Sequence, residues 1–145
     1  MAAEPTPEPT NKTDVTHEAF LWNANFNGRL GNHMFKYASA FGIANASRHR
    51  LILAKNHFMW RDFPKLSASK QSKPDAAIGE QANLHEQKWA SFDGQVLVEA
   101  RTHTRRHLEL HGYFQSYKYF EHVSAELREQ LTPSNEYTQI GRAHV

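Results

Sequence analysis

Residues 28 to 33 read Gly28-Arg29-Leu30-Gly31-Asn32-His33, between a strand-like segment and a run of apolar and aromatic residues at helical spacing. A strand that ends in Gly-x-x-Gly and turns into a helix gathers backbone N–H groups at one point. The helix N-terminus adds a partial positive charge there. Gly28 and Gly31 permit φ > 0 or the close approach of a ligand. Arg29 brings a bidentate donor, and Asn32 offers both a donor and an acceptor. Such a corner favours a phosphate, a carboxylate or the hydroxyls of a sugar. The same glycines also serve a tight βα turn with no ligand. Neither the dinucleotide fingerprint G-x-G-x-x-G nor the P-loop pattern is present, so the residues alone leave both readings open.

Other chemistry-bearing residues are weaker signals. His103, His107 and His111 are four apart, which puts them on one face of a helix or a strand. Three histidines can bind zinc, but Arg105 among them repels a cation and no H-E-x-x-H occurs. A solvated polar strand face is the expectation, and no metal site is assigned. Asp93, Glu99 and Glu109 form no evident acid/base pair and read as surface charges. Trp22, Trp60 and Trp89 can stack on sugar rings. Alternation places Trp22 in the core, and Trp60, beside Arg61 and Asp62, is the one expected to be exposed. Asn11-Lys12-Thr13 and Asn45-Ala46-Ser47 match the N-glycosylation pattern, the second inside a predicted helix.

The elements that must position these residues follow from periodicity. Phe20, Trp22, Ala24 and Phe26 fall at every second position, the strand period. A helix is expected from about Asn32, its N-cap, to Arg48. Its apolar face is Met34, Tyr37, Ala38, Phe41 and Ala44 or Asn45, and Tyr37 and Phe35 are expected in the core. Leu51 to Ala54 then reads as a buried strand, which makes a parallel βαβ unit. Residues 56 to 63 suggest a helical turn or two, stopped before Pro64. Residues 64 to 79 read as a surface loop, and the stretch to Trp89 is ambiguous. Asp93-Gly94 signals a turn. Gln95 to Ala100 and Leu108 to Phe114 read as strands. Ser116 to Leu131 reads as a second helix, capped by Ser116, with Tyr119, Phe120, Val123, Leu127 and Leu131 buried and Pro133 closing it.

A length of 145 residues suits one domain. A net charge of +2 is too small to argue for nucleic acid or an anionic membrane. With no cysteine, disulfides and thiolate-held metals are excluded. No apolar run reaches the roughly 18 residues that span a bilayer. Residues 1–17, rich in Pro, Thr and Glu, read as a disordered tail with no signal peptide.

Gly28-Arg29-Leu30-Gly31-Asn32-His33-Met34-Phe35-Lys36-Tyr37-Ala38 resembles the N-terminal motif G-R-L-G-N-Q-M-F-x-Y-A of the alpha-1,2-fucosyltransferases of glycosyltransferase family 11. Leu110-His111-Gly112-Tyr113-Phe114-Gln115-Ser116-Tyr117-Lys118-Tyr119-Phe120 resembles a second motif of that family, G-Y-F-Q-S-x-x-Y-F. The likeness covers about residues 20 to 132. It implies an α/β fold, the Rossmann-like N-terminal lobe of a GT-B-like glycosyltransferase, with a parallel sheet, flanking helices and a missing partner lobe. It implies transfer of fucose from GDP-fucose to a galactose 2-hydroxyl, with inversion and without a metal or other cofactor. Gly28, Arg29, Gly31, Asn32 and His33 are then the substrate-binding residues, with Arg29 and Asn32 pointing into the cleft. No catalytic base is assigned.

Two departures matter. His33 stands where the family usually has Gln. The arginine-bearing H-x-R-R-G-D motif, associated with the donor diphosphate, does not follow the second match. His103-Thr104-Arg105-Arg106 fits H-x-R-R, but it precedes that match, and His107-Leu108 replace Gly-Asp, so it is set aside. On this reading residues 18–132 are one lobe, inactive alone, and residues 133–145 a tail. The closing QIGRAHV resembles the translation of a common sequencing adapter, which implies that Ile140 to Val145 are not native; an ordinary disordered C-terminus is the alternative. Family members in animals are usually Golgi proteins with a membrane anchor, so the resemblance implies the Golgi membrane, while no anchor or targeting segment is expected within these 145 residues. The alternative is a non-catalytic α/β module that binds an anion or a sugar at the same glycine corner.

Overall fold

Short apolar runs between polar turns make five short strands, and each helix covers them from the same side. The computed structural model describes residues 18–24, 30–72, 80–88 and 91–134. In chain order these are β1 (Phe20–Asn23), α1 (Leu30–Ser47), β2 (Arg50–Leu53), the single turn α2 (Met59–Asp62), β3 (Ser69–Lys70), β4 (Gln81–His85), α3 (Gly94–Thr102) and β5 (His107–His111). Two 3-10 turns (Tyr117–Tyr119 and Glu121–Val123) lead into α4 (Ser124–Gln130). All pairings are parallel, in the order β3-β2-β1-β5-β4. This is the Rossmann-like α/β arrangement, and β1–α1–β2 is the expected βαβ unit.

The register sets two unlike faces. Leu21 lies opposite Leu51 on β2 and Leu108 on β5. These residues, with Leu53, Leu84 and Leu110, join Tyr37, Ile43, Val96, Tyr119 and Leu127 in one apolar core. The intervening strand positions carry Trp22, Ile52, His107 and Glu109. β1 was expected to alternate, yet Leu21, Trp22 and Asn23 are all buried. Trp22, on the face away from the apolar core, is buried beside the β5 side chains His107 and Glu109, so alternation fades.

Several expected elements differ. α1 starts at Leu30, so Asn32 sits inside the first turn and is not the cap. Gln95 to Ala100 is helix, not strand. Asp93 is its N-cap, accepting from the Gln95 N–H at 3.1 Å, and Val96 and Ala100, four apart, face the core. The Asp93-Gly94 turn signal was therefore a helix start. Residues 64 to 79 include the two-residue strand β3, and the ambiguous stretch holds β4. The expected helix over 116–131 is broken into two 3-10 turns and α4. Ser116 does cap the first turn, accepting from the Lys118 N–H. Residues 1–17, 25–29, 73–79, 89–90 and 135–145 lie outside the described ones, and with them Gly28, Arg29 and Trp89.

α1 is buried around most of its girth. Gly42 explains how: a Cβ there would stand 2.1 Å from the Tyr119 carbonyl oxygen. Only glycine lets α1 and the first 3-10 turn meet backbone to backbone.

Candidate functional site

In a parallel sheet, ligands gather outside the carboxyl ends of the strands, where the strand order reverses. Here the chain runs from β1 to β2 and β3 on one side, while β5 and β4 lie on the other. The reversal falls between β1 and β5, joined at this end by the Ala24 N–H donating to the Leu110 carbonyl at 2.9 Å. α1 begins beside this point, and the Gly112-Tyr113-Phe114-Gln115 segment leaves β5 there. The two segments singled out in the sequence, far apart along the chain, therefore meet.

The contacts between them are specific. The Gln115 side-chain amide donates to Asn32 Oδ1 at 2.7 Å. One and two turns along α1, Lys36 Nζ lies 5.8 Å from the centre of the Tyr113 ring, and the Ser39 hydroxyl donates to the Phe114 carbonyl at 2.5 Å. Burial lowers the Lys36 ammonium below the usual lysine range. Gly112 has φ 147° and Phe114 φ 50°. A non-glycine residue in the left-handed region costs on the order of 1–3 kcal/mol and persists where its surroundings over-determine it. Phe114 is held in that way, because its N–H also donates to Glu86 Oε1 at 3.0 Å. The other Glu86 oxygen accepts from the Tyr119 hydroxyl at 2.6 Å, and that hydroxyl accepts from the Asp93 N–H at 2.9 Å. Burial, with the Glu86 carboxylate beside it, pushes the Tyr119 phenol well above the usual tyrosine range. Asp93 is thus a buried structural group, not a surface charge.

The expected site residues divide. Gly28 and Arg29 lie outside the described residues. Gly31 is exposed in the first turn of α1 and does not have a positive φ. Among the described residues a Cβ there would meet nothing within 4 Å. Asn32 reaches across to the second segment. His33 points the other way: it is buried, with its ring edge-on to Phe58 at 4.9 Å and to His57 at 5.5 Å. Tyr37 is core, but Phe35 is 38% exposed against that expectation, because the helix turns it out towards Phe120.

Other readings also change. His107 is buried, accepting at Nδ1 from the Phe20 N–H at 3.1 Å, and His111 stacks on His85. They are strand neighbours with partners of their own, and the His103–Arg106 turn lies at the opposite end of β5 from the crevice. Trp60 is half-buried, its indole N–H donating to the Ala54 carbonyl at 2.8 Å and Lys70 lying over its ring. Asn45 is exposed, but the Ser47 hydroxyl of the same glycosylation match is buried and donates to the Ile43 carbonyl at 2.7 Å.

Sequence reasoning read Glu109 as a surface charge and passed over Gln71 and His57. Glu109 is not a surface charge: its side chain is 15% exposed. Its carboxylate accepts from the Trp22 indole and the Gln81 amide, each at 3.1 Å. Trp22, Asn23, Ile52, His57, Gln71 and Glu109 line an open cavity of about 350 Å³ at the carboxyl ends of β1 to β3. His57 connects this cavity to the start of α1 through His33. Burial and the nearby His33 charge lower its imidazole below the usual range. Its Nδ1 accepts the Met59 N–H at 3.2 Å, which leaves the proton of the neutral ring on Nε2. The signal for Glu109 was its place between Leu108 and Leu110 on a buried strand.

The fold is a Rossmann-like α/β lobe, a parallel five-stranded sheet with flanking helices. No family model matches the chain. A galactoside 2-alpha-L-fucosyltransferase from Caenorhabditis elegans is 31% identical over an alignment of 121 positions that covers 74% of this chain and 29% of that protein. The chain spans under a third of that relative's length, and the likeness supports a fucosyltransferase-like relationship.

Proposed function

We propose that this chain forms one wall of the cleft of an inverting galactoside alpha-1,2-fucosyltransferase. In that reaction the galactose 2-hydroxyl loses its proton and attacks the fucose anomeric carbon. The bond to the diphosphate breaks, and GDP leaves. The observation that carries this reading is the meeting of the two family-like segments at the strand-order reversal, tied by Asn32 and Gln115. The likeness to the nematode fucosyltransferase also supports it.

The residues suit part of this work. Gly31 and the first turn of α1 present backbone N–H groups, which favour the oxygens of a sugar or a phosphate. Asn32, oriented by Gln115, offers its amide to a hydroxyl. Stabilising two departing negative charges takes cationic groups or helix N-termini. No H-x-R-R-G-D motif occurs in these 145 residues, so on this reading the opposite wall supplies most of that charge. Catalysis requires both substrates held together, and the 145-residue chain alone is expected to be inactive. The same reading places the whole protein among Golgi glycan-building enzymes. Among the described residues no helix is long and apolar enough to cross a membrane.

The test is a chimera in which residues 20–132 replace the matching segment of the nematode enzyme. Fucose transfer from GDP-fucose to a galactoside is expected from the chimera and not from the isolated chain. A folded chimera that transfers no fucose, or steady transfer by the isolated chain, contradicts the reading.

A further inference from the structure

A second cavity lies at the other end of the sheet, where α1 ends and β1 and β2 begin. Its volume, about 340 Å³, falls within the roughly 300–1,000 Å³ of small-molecule sites. Phe41, Leu51 and Ala68 give it an apolar wall. That wall is held in place: the Phe41 ring stacks on Tyr37, and the Ala68 N–H donates to the Tyr37 hydroxyl at 3.3 Å. Glu18 and Arg50 stand in the lining as an ion pair, so their charges offset each other. Arg48 and Asn45 also line the cavity, and among the described residues their side chains have no hydrogen-bond or ionic partner.

Arg48 stands there against its backbone. It follows α1 with φ 63°, and the His49 N–H reaches back to the Ala44 carbonyl at 2.9 Å. This is a Schellman turn, whose left-handed position glycine fills best. The chain carries arginine instead, and the turn delivers its guanidinium to the cavity. The carbonyl end of a helix disfavours anions, but the last carbonyls of α1 are occupied. The Ser47 hydroxyl donates to Ile43 at 2.7 Å and the His49 N–H to Ala44.

An apolar wall beside one guanidinium and one neutral amide matches a flat apolar body with a single carboxylate. A guanidinium meets a carboxylate through two parallel hydrogen bonds, and the Asn45 amide adds a donor. Burial lowers the His49 imidazole below its ordinary value, so it is uncharged at about pH 7.5. Arg48 and Arg50 against Glu18 then leave the lining with one net positive charge, which suits a monoanion. We propose that this cavity binds a small aromatic carboxylate, with its carboxylate on Arg48 and Asn45 and its ring against Phe41 and Leu51. Cavity and crevice lie at opposite ends of α1, so this site stands or falls apart from the fucosyl-transfer reading.

The experiment titrates the purified 145-residue chain with benzoate, and with benzamide as an uncharged probe of the same shape, followed by amide proton–nitrogen NMR. Saturable benzoate shifts are expected from Phe41 to Leu51 and at Ser67 and Ala68, and not at Asn32 or Gln115. Benzamide should bind about tenfold or more weakly, the loss that goes with a hydrogen bond to a charged group. Arg48→Gly suits the left-handed backbone and removes the guanidinium. It should melt no lower than the parent chain and lose about tenfold or more in benzoate affinity, with benzamide binding unchanged. Three results each overturn the proposal: no saturable shift at the cavity, equal binding of benzoate and benzamide by the parent chain, or undiminished benzoate binding by a folded Arg48→Gly. The benzamide comparison needs no variant, so it decides the matter even where Arg48→Gly does not fold. Fucose transfer by the chimera is read separately, so it can stand while the cavity proposal falls, and the reverse.

Discussion

At the scale of single residues, backbone contact and buried hydroxyls decide most of what can be tested. Gly42 touches the Tyr119 carbonyl through space that a methyl group would fill. Gly42→Ala must push α1 from the 3-10 turn, and we expect a loss of about 3 kcal/mol in urea unfolding. A change under about 1 kcal/mol would show that the two backbones yield easily. The Tyr37 hydroxyl is also buried. It donates to Gln130 Oε1 at 2.5 Å, and burial pushes its phenol up to about 12. The unfolded chain ionises near the ordinary value of about 10, so it releases its proton first. The stability held by the neutral phenol is complete below about pH 10 and falls as pH rises towards the folded value. Unfolding midpoints measured from about pH 9 to pH 11 should decline, and a flat profile contradicts this assignment. At this scale the sequence was partly legible. The pairing of Asn32 with a distant residue had no local signal, although Gln115 stood in a quoted motif. Glu109 and Asp93 look like any surface carboxylate until the strand and helix cap that hold them are known.

At the scale of elements, capping and covering outweigh local pattern. QVLVEA has the β-branched content of a strand, yet it folds as α3. Asp93 accepts from the N–H groups of Gln87 at 2.8 Å and Gln95, tying the loop before α3 to its first turn. Asp93→Ala should cost about 2 kcal/mol and Asp93→Asn distinctly less, as read by thermal unfolding. Equal losses would show that the cap is not the reason α3 forms. The C-terminal end of α1 has a different fastening. Buried His49 stands 2.8 Å from the Ser47 hydroxyl and turns Nε2 to the His103 and Arg106 carbonyls, at 3.0 and 2.9 Å. Burial lowers its imidazole below the ordinary value. The unfolded chain then takes up a proton first on acidification, so this stability is present above about pH 6.5 and lost as pH falls below it. His49 should titrate below about 6.5 by NMR in the folded chain, and a value above that reverses the sign. The β1–α1–β2 unit was legible because its apolar residues recur at the right spacing and its turn is glycine-rich. The break in the expected 116–131 helix was not legible. It follows from the close seat of Tyr119 and Phe120 against Gly42, a tertiary contact that no local period records.

At the scale of the whole molecule, five parallel strands bring distant segments to one end of the sheet, and that end is where the account stands or falls. The fold class could be read from the order of elements, because strand, turn, helix, strand has few physical solutions. The strand order could not, since β4 and the two-residue β3 lie in stretches with no clear period. The two segments singled out in the sequence meet where the strand order reverses, between β1 and β5. The most direct test is a double-mutant cycle of Asn32→Ala and Gln115→Ala in the chimeric fucosyltransferase, read as kcat/KM for transfer from GDP-fucose. If the two residues act as one clamp, each single change should cost about tenfold or more, and the pair little more than either alone. Full activity in both single variants, or losses that simply multiply, would show that the two segments share a location and not a function.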